Sequence, residues 1–174
     1  MINMNSFVKV LSITCFTFIT FFSCSKDDGS LFKDCLLPWE DLETISQAEI
    51  PKEIVDFTYK TYPETDTLLA VVINFCNNEK RLYIQTEGTP NYDFLLYDSC
   101  GILIGKGKEE SSSEIVTLLS KSIKEGIGNQ AEVYDSFIIN FENGTKQYVA
   151  EIYFQGDSNR YLFDRDGNVI CKLF

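Results

Sequence analysis

The stretch Phe94-Leu95-Leu96-Tyr97-Asp98-Ser99-Cys100-Gly101-Ile102-Leu103-Ile104 lines up with Arg160-Tyr161-Leu162-Phe163-Asp164-Arg165-Asp166-Gly167-Asn168-Val169-Ile170 at a constant offset of 66 residues. In both, an aromatic-Asp pair closes one apolar run, Gly follows three residues after the Asp, and an Ile- or Val-containing run begins, the order that a tight hairpin turn requires. Upstream, Glu53-Ile54-Val55 is answered by Glu114-Ile115-Val116, and each opens a helical pattern. Ile54, Phe57, Thr58 and Thr61 share one helical face, as do Ile115, Leu118, Leu119, Ser122 and Ile123. Pro51 suits a first helical turn, and Ser111 to Ser113 offer N-caps. Pro63 ends the first helix, and Gly126 and Gly128 end the second.

Between helix and hairpin each half has room for two more strands. These are Leu68 to Phe75 and Arg81 to Glu87 in the first half, and Ala131 to Phe141 and Lys146 to Gln155 in the second. Asn143-Gly144 carries the residue pair of a type I′ turn. The predicted fold is thus α+β: a tandem repeat of a helix plus a four-stranded antiparallel meander, the sheets joined side by side with the helices on one face. The alternation in Tyr148-Val149-Ala150-Glu151-Ile152-Tyr153-Phe154-Gln155 predicts one sheet face against a helix and the other open to solvent. The repeats occupy residues 50–110 and 111–174.

Residues 1–23 hold a single charge, Lys9, and a largely apolar run from Val10 to Phe22, too short to span a bilayer as a helix and typical of a signal peptide. Phe21-Phe22-Ser23-Cys24 resembles a bacterial lipobox, which makes Cys24 the lipidation site and residues 24–49 a lipidated tether and lead-in. Lys26-Asp27-Asp28, just after that cysteine, resembles the signal that sends Bacteroidetes lipoproteins to the outer face of the outer membrane. The expected address is therefore the outer membrane, lipid-anchored and cell-surface exposed, with its periplasmic face as the alternative.

Ile50-Pro51-Lys52-Glu53-Ile54-Val55-Asp56-Phe57, followed by Tyr62-Pro63-Glu64-Thr65 and a strand, resembles the PepSY-like lipoproteins of the Bacteroidetes, related in fold to beta-lactamase-inhibitor protein. The second half has Gly126-Ile127-Gly128 in place of the Tyr-Pro element. The resemblance implies two helix-plus-meander units with an open sheet face that binds a protein or another ligand.

Composition narrows the chemistry. Twenty-six acidic residues against fifteen basic give a formal charge of −11, the wrong sign for neutralising nucleic-acid phosphates. Histidine is absent, which removes His-dependent triads and typical zinc hydrolases. Asp164-Arg165-Asp166-Gly167-Asn168 resembles the opening of a calcium loop, but the chain turns apolar where further ligands would stand, so it reads as a hairpin turn. No cofactor and no metal are expected. The reading is a non-catalytic protein-binding or inhibitory module acting through an open sheet face, or alternatively a small-ligand carrier with a cleft between the repeats. The candidate binding residues are Arg81, Tyr83, Glu151 and Tyr153, which fall opposite their strands' most apolar positions.

Four cysteines remain beyond Cys24, namely Cys35, Cys76, Cys100 and Cys171, and without a Cys-x-x-Cys pair they suit two disulfides or free buried thiols better than zinc. Spacing leaves all three pairings open. In a four-stranded meander the first and third turns lie at the same end of the sheet, which makes Cys76–Cys100 a candidate bridge and leaves Cys35 for Cys171. The lipobox yields a direct test: Cys24→Ala abolishes lipid labelling and releases the protein from membranes, whereas retention of the variant in the membrane fraction refutes the anchor.

Overall fold

Thr67–Phe75 and Asp93–Tyr97 carry apolar residues on both of their alternating faces, so both faces of their sheet must be covered. The computed structural model describes residues 29–87 and 93–173. The signal peptide expected at residues 1–23, Cys24 and Lys26-Asp27-Asp28 lie outside the described residues. The strands are β1 (Thr44–Ile45), β2 (Thr67–Phe75), β3 (Glu79–Glu87), β4 (Asp93–Tyr97), β5 (Leu103–Glu109), β6 (Glu132–Phe141), β7 (Lys146–Phe154), β8 (Asp157–Phe163) and β9 (Val169–Lys172). Helix α1 (Lys52–Thr61) joins β1 to β2, and helix α2 (Ser113–Gly126) joins β5 to β6. All nine strands form a single sheet in sequence order, every neighbouring pair antiparallel.

This corrects the predicted α+β tandem repeat of helix-plus-four-stranded-meander units. Among the described residues the molecule is mostly antiparallel sheet, a curled half-barrel carrying two α-helices of 10 and 14 residues. The two halves meet through an interior ladder, β5 on β6 from Gly105↔Phe141 to Glu109↔Phe137. An additional edge strand, β1, pairs with β2 through Thr44↔Val71 and Ile45↔Ala70.

Local chemistry explains the elements. Ser112 caps α2 by accepting from the Ile115 backbone N–H at 3.5 Å. In α1 the buried Thr58 hydroxyl donates back to the Ile54 carbonyl at 2.8 Å, which satisfies a polar group that would otherwise be stranded in the core. Three hairpins share one turn. Gly101, Gly144 and Gly167 all have φ near +80°, and their N–H groups donate to the carbonyls of Asp98, Phe141 and Asp164 respectively. The turn at Asn143-Gly144 is therefore a three-residue loop with its glycine in the left-handed region, not the two-residue type I′ turn expected from the sequence, because Phe141 N–H pairs with the Thr145 carbonyl.

Three apolar clusters hold the sheet. Ile54 of α1 packs with Ile45, Val72, Leu82, Ile84 and Leu95. Ile115, Leu119 and Ile123 of α2 pack with Ile138, Ala150, Ile152 and Phe163. Phe75, Phe94, Leu96, Ile139, Val149, Leu162 and Leu173 form the third cluster on the opposite face. The face predicted to be open is thus the inside of the curl. Closure needs an exceptionally close approach at Gly107, where a Cβ would stand 1.9 Å from the Phe94 ring.

The disulfides are Cys35–Cys100 and Cys76–Cys171, which corrects the predicted pairs Cys76–Cys100 and Cys35–Cys171. The reason is the face each turn serves. Cys76 packs with the concave cluster, whereas the Cys100 carbonyl accepts from Leu31 N–H, beside Phe32 of the α1-side cluster. In a flat sheet, the β2–β3 connection and β9 would be about 30 Å apart. Cys76 and Cys171 nevertheless have a Cα–Cα distance of 5.9 Å, so the sheet rolls until its two ends meet.

Because that bond closes a loop with a sequence separation of 95, the double variant Cys76→Ser, Cys171→Ser should lose about 3 kcal/mol of stability. Urea unfolding followed by fluorescence of Trp39, whose ring packs edge-on against Phe32 at 5.5 Å, measures it. An unchanged midpoint would show that the curl closes without the bond.

Candidate functional site

A sheet that rolls around its own apolar side chains fills its interior only if the side chains are long enough to meet. Here they are not. Between the concave faces of β2, β3, β4, β6 and β7 lies a cavity of about 440 Å³. Its apolar wall comes from alternate residues of each strand, among them Val71, Ile73, Leu96, Ile139 and Val149. Its aromatic lining is Phe75, Tyr83, Phe94 and Phe137. Tyr83 leans on Phe94 at 4.8 Å between ring centroids, and Phe94 meets Phe137 edge-on at 6.1 Å. Leu173 and Leu42 contribute from beyond the strands.

Leu42 is 57% exposed and has φ +60°, an unusual backbone for a leucine. Its N–H donates to the Val72 carbonyl at 2.8 Å, and neighbouring Asp41 accepts from Asn74 and pairs with Lys80 at 3.0 Å. These bonds hold the lead-in across the edge of β2 at the cavity rim.

Asn74 lines the cavity beside Phe75, and the charged groups converge at the other end. The register sets Asp135 opposite Glu151 and Glu151 opposite Arg160, so three charged residues form one row across β6, β7 and β8. Asp135 and Arg160 line the cavity, together with Gln85 and Tyr83 from β3. Glu151 Oε2 accepts from Arg160 at 3.4 Å, and its Oε1 accepts from the Ser158 hydroxyl at 2.6 Å. The Ser158 hydrogen bond, with Arg160 adding to it, holds the Glu151 carboxyl below the ordinary range. Asp135 Oδ1 accepts from the Ser136 N–H at 2.8 Å and from the Ser111 hydroxyl at 3.3 Å. The Tyr83 hydroxyl donates to Gln85 at 3.3 Å, and burial pushes its pKa up to about 12.

The four binding residues singled out from the sequence part company here. Tyr83 lines the cavity. Glu151 stands behind it, holding Arg160. Arg81 is on the same face but outside the lining, its guanidinium 4.1 Å from the centre of the Phe75 ring and bonded to Glu79 at 2.8 Å. Its Nε and Nη1 are buried without a hydrogen-bond acceptor among the described residues. Tyr153 lies further along β7 and is 51% exposed. Sequence reasoning missed Asp135, Arg160, Phe94 and Phe137. For Asp135 the cause is local: the β6 register shifts between Val133 and Asp135, which breaks the strict alternation.

Among the described residues no three His, Cys, Asp or Glu side chains gather as a metal site. The Asp164 carboxylate is occupied by its own turn, accepting from the N–H groups of Asp166 and Asn168 and from the Asn168 side chain at 2.9, 2.9 and 3.0 Å.

The buried phenol has a measurable consequence. Below pH 10 it is protonated in folded and unfolded chains alike. Between pH 10 and about 12 only the unfolded chain releases the proton readily, so stability falls as pH rises. The Tyr83 contribution to that loss should approach 2 to 3 kcal/mol by roughly pH 12. Tyr83→Phe should show a shallower loss than the native chain in urea unfolding between neutral pH and about pH 11.5. Tyr97, whose pKa burial also raises to about 12, adds to the slope in both.

No family model matches this chain, and no curated protein matches it. Among solved structures it is similar to a Bacteroides eggerthii DSM 20697 protein named "putative periplasmic proteins", at 9% sequence identity and a TM-score of 0.51. The match covers 70% of this chain and 86% of that one, and at this identity what it shows is a shared fold.

Proposed function

We propose that this protein is a non-catalytic carrier that holds a small, largely apolar ligand inside the curled sheet. The single observation behind this reading is the cavity of about 440 Å³, apolar and aromatic along its wall with charged groups at one end. That size and balance are usual for small-molecule sites. The wall draws on β2, β3 and β4 from the first half of the chain and on β6 and β7 from the second, which supports a carrier with its ligand held between the two halves. The PepSY-like resemblance of residues 50–174, the lipid anchor at Cys24 and residence at the outer membrane belong to this proposal. The name carried by the Bacteroides eggerthii protein supports an address beyond the inner membrane.

A second reading, a protein-binding or inhibitory module, draws support from Tyr134 and Tyr153, which are 81% and 51% exposed. The two readings differ in where a substitution acts.

Titration with the neutral apolar fluorophore N-phenyl-1-naphthylamine tests the carrier. The native protein should bind it in saturable fashion with enhanced fluorescence. Val71→Trp, which places a large ring in the cavity, should weaken binding at least about tenfold with a folded circular dichroism spectrum. Equal binding by both proteins would place the probe outside the cavity and remove the basis of the reading.

A further inference from the structure

Charge balance on the concave face specifies the ligand further. Arg81 has Glu79 at 2.8 Å, and Arg160 has Glu151 at 3.4 Å. Both cations on this face are thus matched by a carboxylate. Asp135 is different. It lines the cavity, its two hydrogen bonds come from the neutral Ser111 hydroxyl and Ser136 N–H, and it has no salt-bridge partner among the described residues. The negative charge left over at the charged end of the cavity is therefore that of Asp135.

The rest of the lining suits a cation as well. Phe75, Tyr83, Phe94 and Phe137 line the cavity, and aromatic rings attract a cation that approaches over their faces. The chain as a whole carries a formal charge of −11, which draws cations toward it and repels anions.

We propose that the ligand is a small organic amine: an apolar body lying among the aromatic and aliphatic residues, with an ammonium group beside Asp135. This rests on the carrier reading. A carboxylate-bearing ligand would have to approach Asp135 and compete with Glu151 for Arg160. A neutral ligand would leave the charge of Asp135 unanswered.

Three compounds with one apolar body separate these cases: 4-phenylbutylamine, 4-phenylbutan-1-ol and 4-phenylbutanoate, each titrated by calorimetry into the protein at neutral pH and moderate salt. The amine should bind about tenfold more tightly than the alcohol, the difference expected of one charge-assisted hydrogen bond, and the carboxylate most weakly. In Asp135→Asn, whose side-chain carbonyl can still accept from Ser111 and Ser136, the amine should fall to the affinity of the alcohol. A circular dichroism spectrum matching that of the native protein reports that the variant is folded. If the native protein binds the alcohol as tightly as the amine, the ammonium assignment is overturned while the carrier reading stands. Tightest binding by the carboxylate overturns it in favour of Arg160. If none of the three binds, the carrier reading fails too.

Discussion

The closure of the sheet by Cys76–Cys171 is the constraint on which the rest of the molecule depends. A nine-stranded antiparallel sheet with two helices on one face would leave Phe75, Phe94, Leu96, Ile139 and Val149 in water on the other. Burying a side chain of this kind is worth about 1.5 to 3 kcal/mol, so an open second face would forfeit much of the folding free energy. Curling removes that face from solvent without a third layer. The disulfide joins the connection after β2 to β9, and the ends of the sheet are thereby held a few ångströms apart rather than tens.

Curling has a geometric cost that becomes the site. Side chains on the inside of a rolled sheet converge, and the chain accommodates them by alternating bulk with its absence. Gly107 lets the Phe94 ring lie directly on the backbone of β5. Elsewhere the walls do not meet, and the remaining space is lined by what each strand had to place inward. The charged row of Asp135, Glu151 and Arg160 stands at one end of that space and the Cys76–Cys171 bridge belongs to the cluster at its other side. The same alternation that builds the core therefore builds a cavity that is apolar along its length and charged at one end.

Much of the local structure was legible because it depends on neighbours in sequence. The aromatic-Asp-x-x-Gly stretches at Asp98 and Asp164 form the same turn, since the aspartate accepts from backbone N–H groups two and four residues on and the glycine supplies the positive φ. Helices begin near Glu53 and Glu114 because an apolar stripe there follows a proline or a serine cap. Tyr83 could be selected as a binding residue because it lies out of phase with Leu82 and Ile84. The same logic set Arg81 on that face, and its place outside the cavity lining is decided by the rings of Phe75 and Phe141.

The sequence by itself determined where strands, helices and turns lie, and that the chain is acidic, without histidine, and equipped for an oxidising compartment. Those properties follow from interactions within a few residues or from composition alone. Tertiary structure decided that the sheet curls, that a further edge strand joins it, which cysteines meet and which carboxylate is left without a cation. Each of these depends on contacts between residues tens of positions apart. Period-two alternation is identical in a flat sheet and a rolled one, so nothing local to β2 or β9 records that their ends come together.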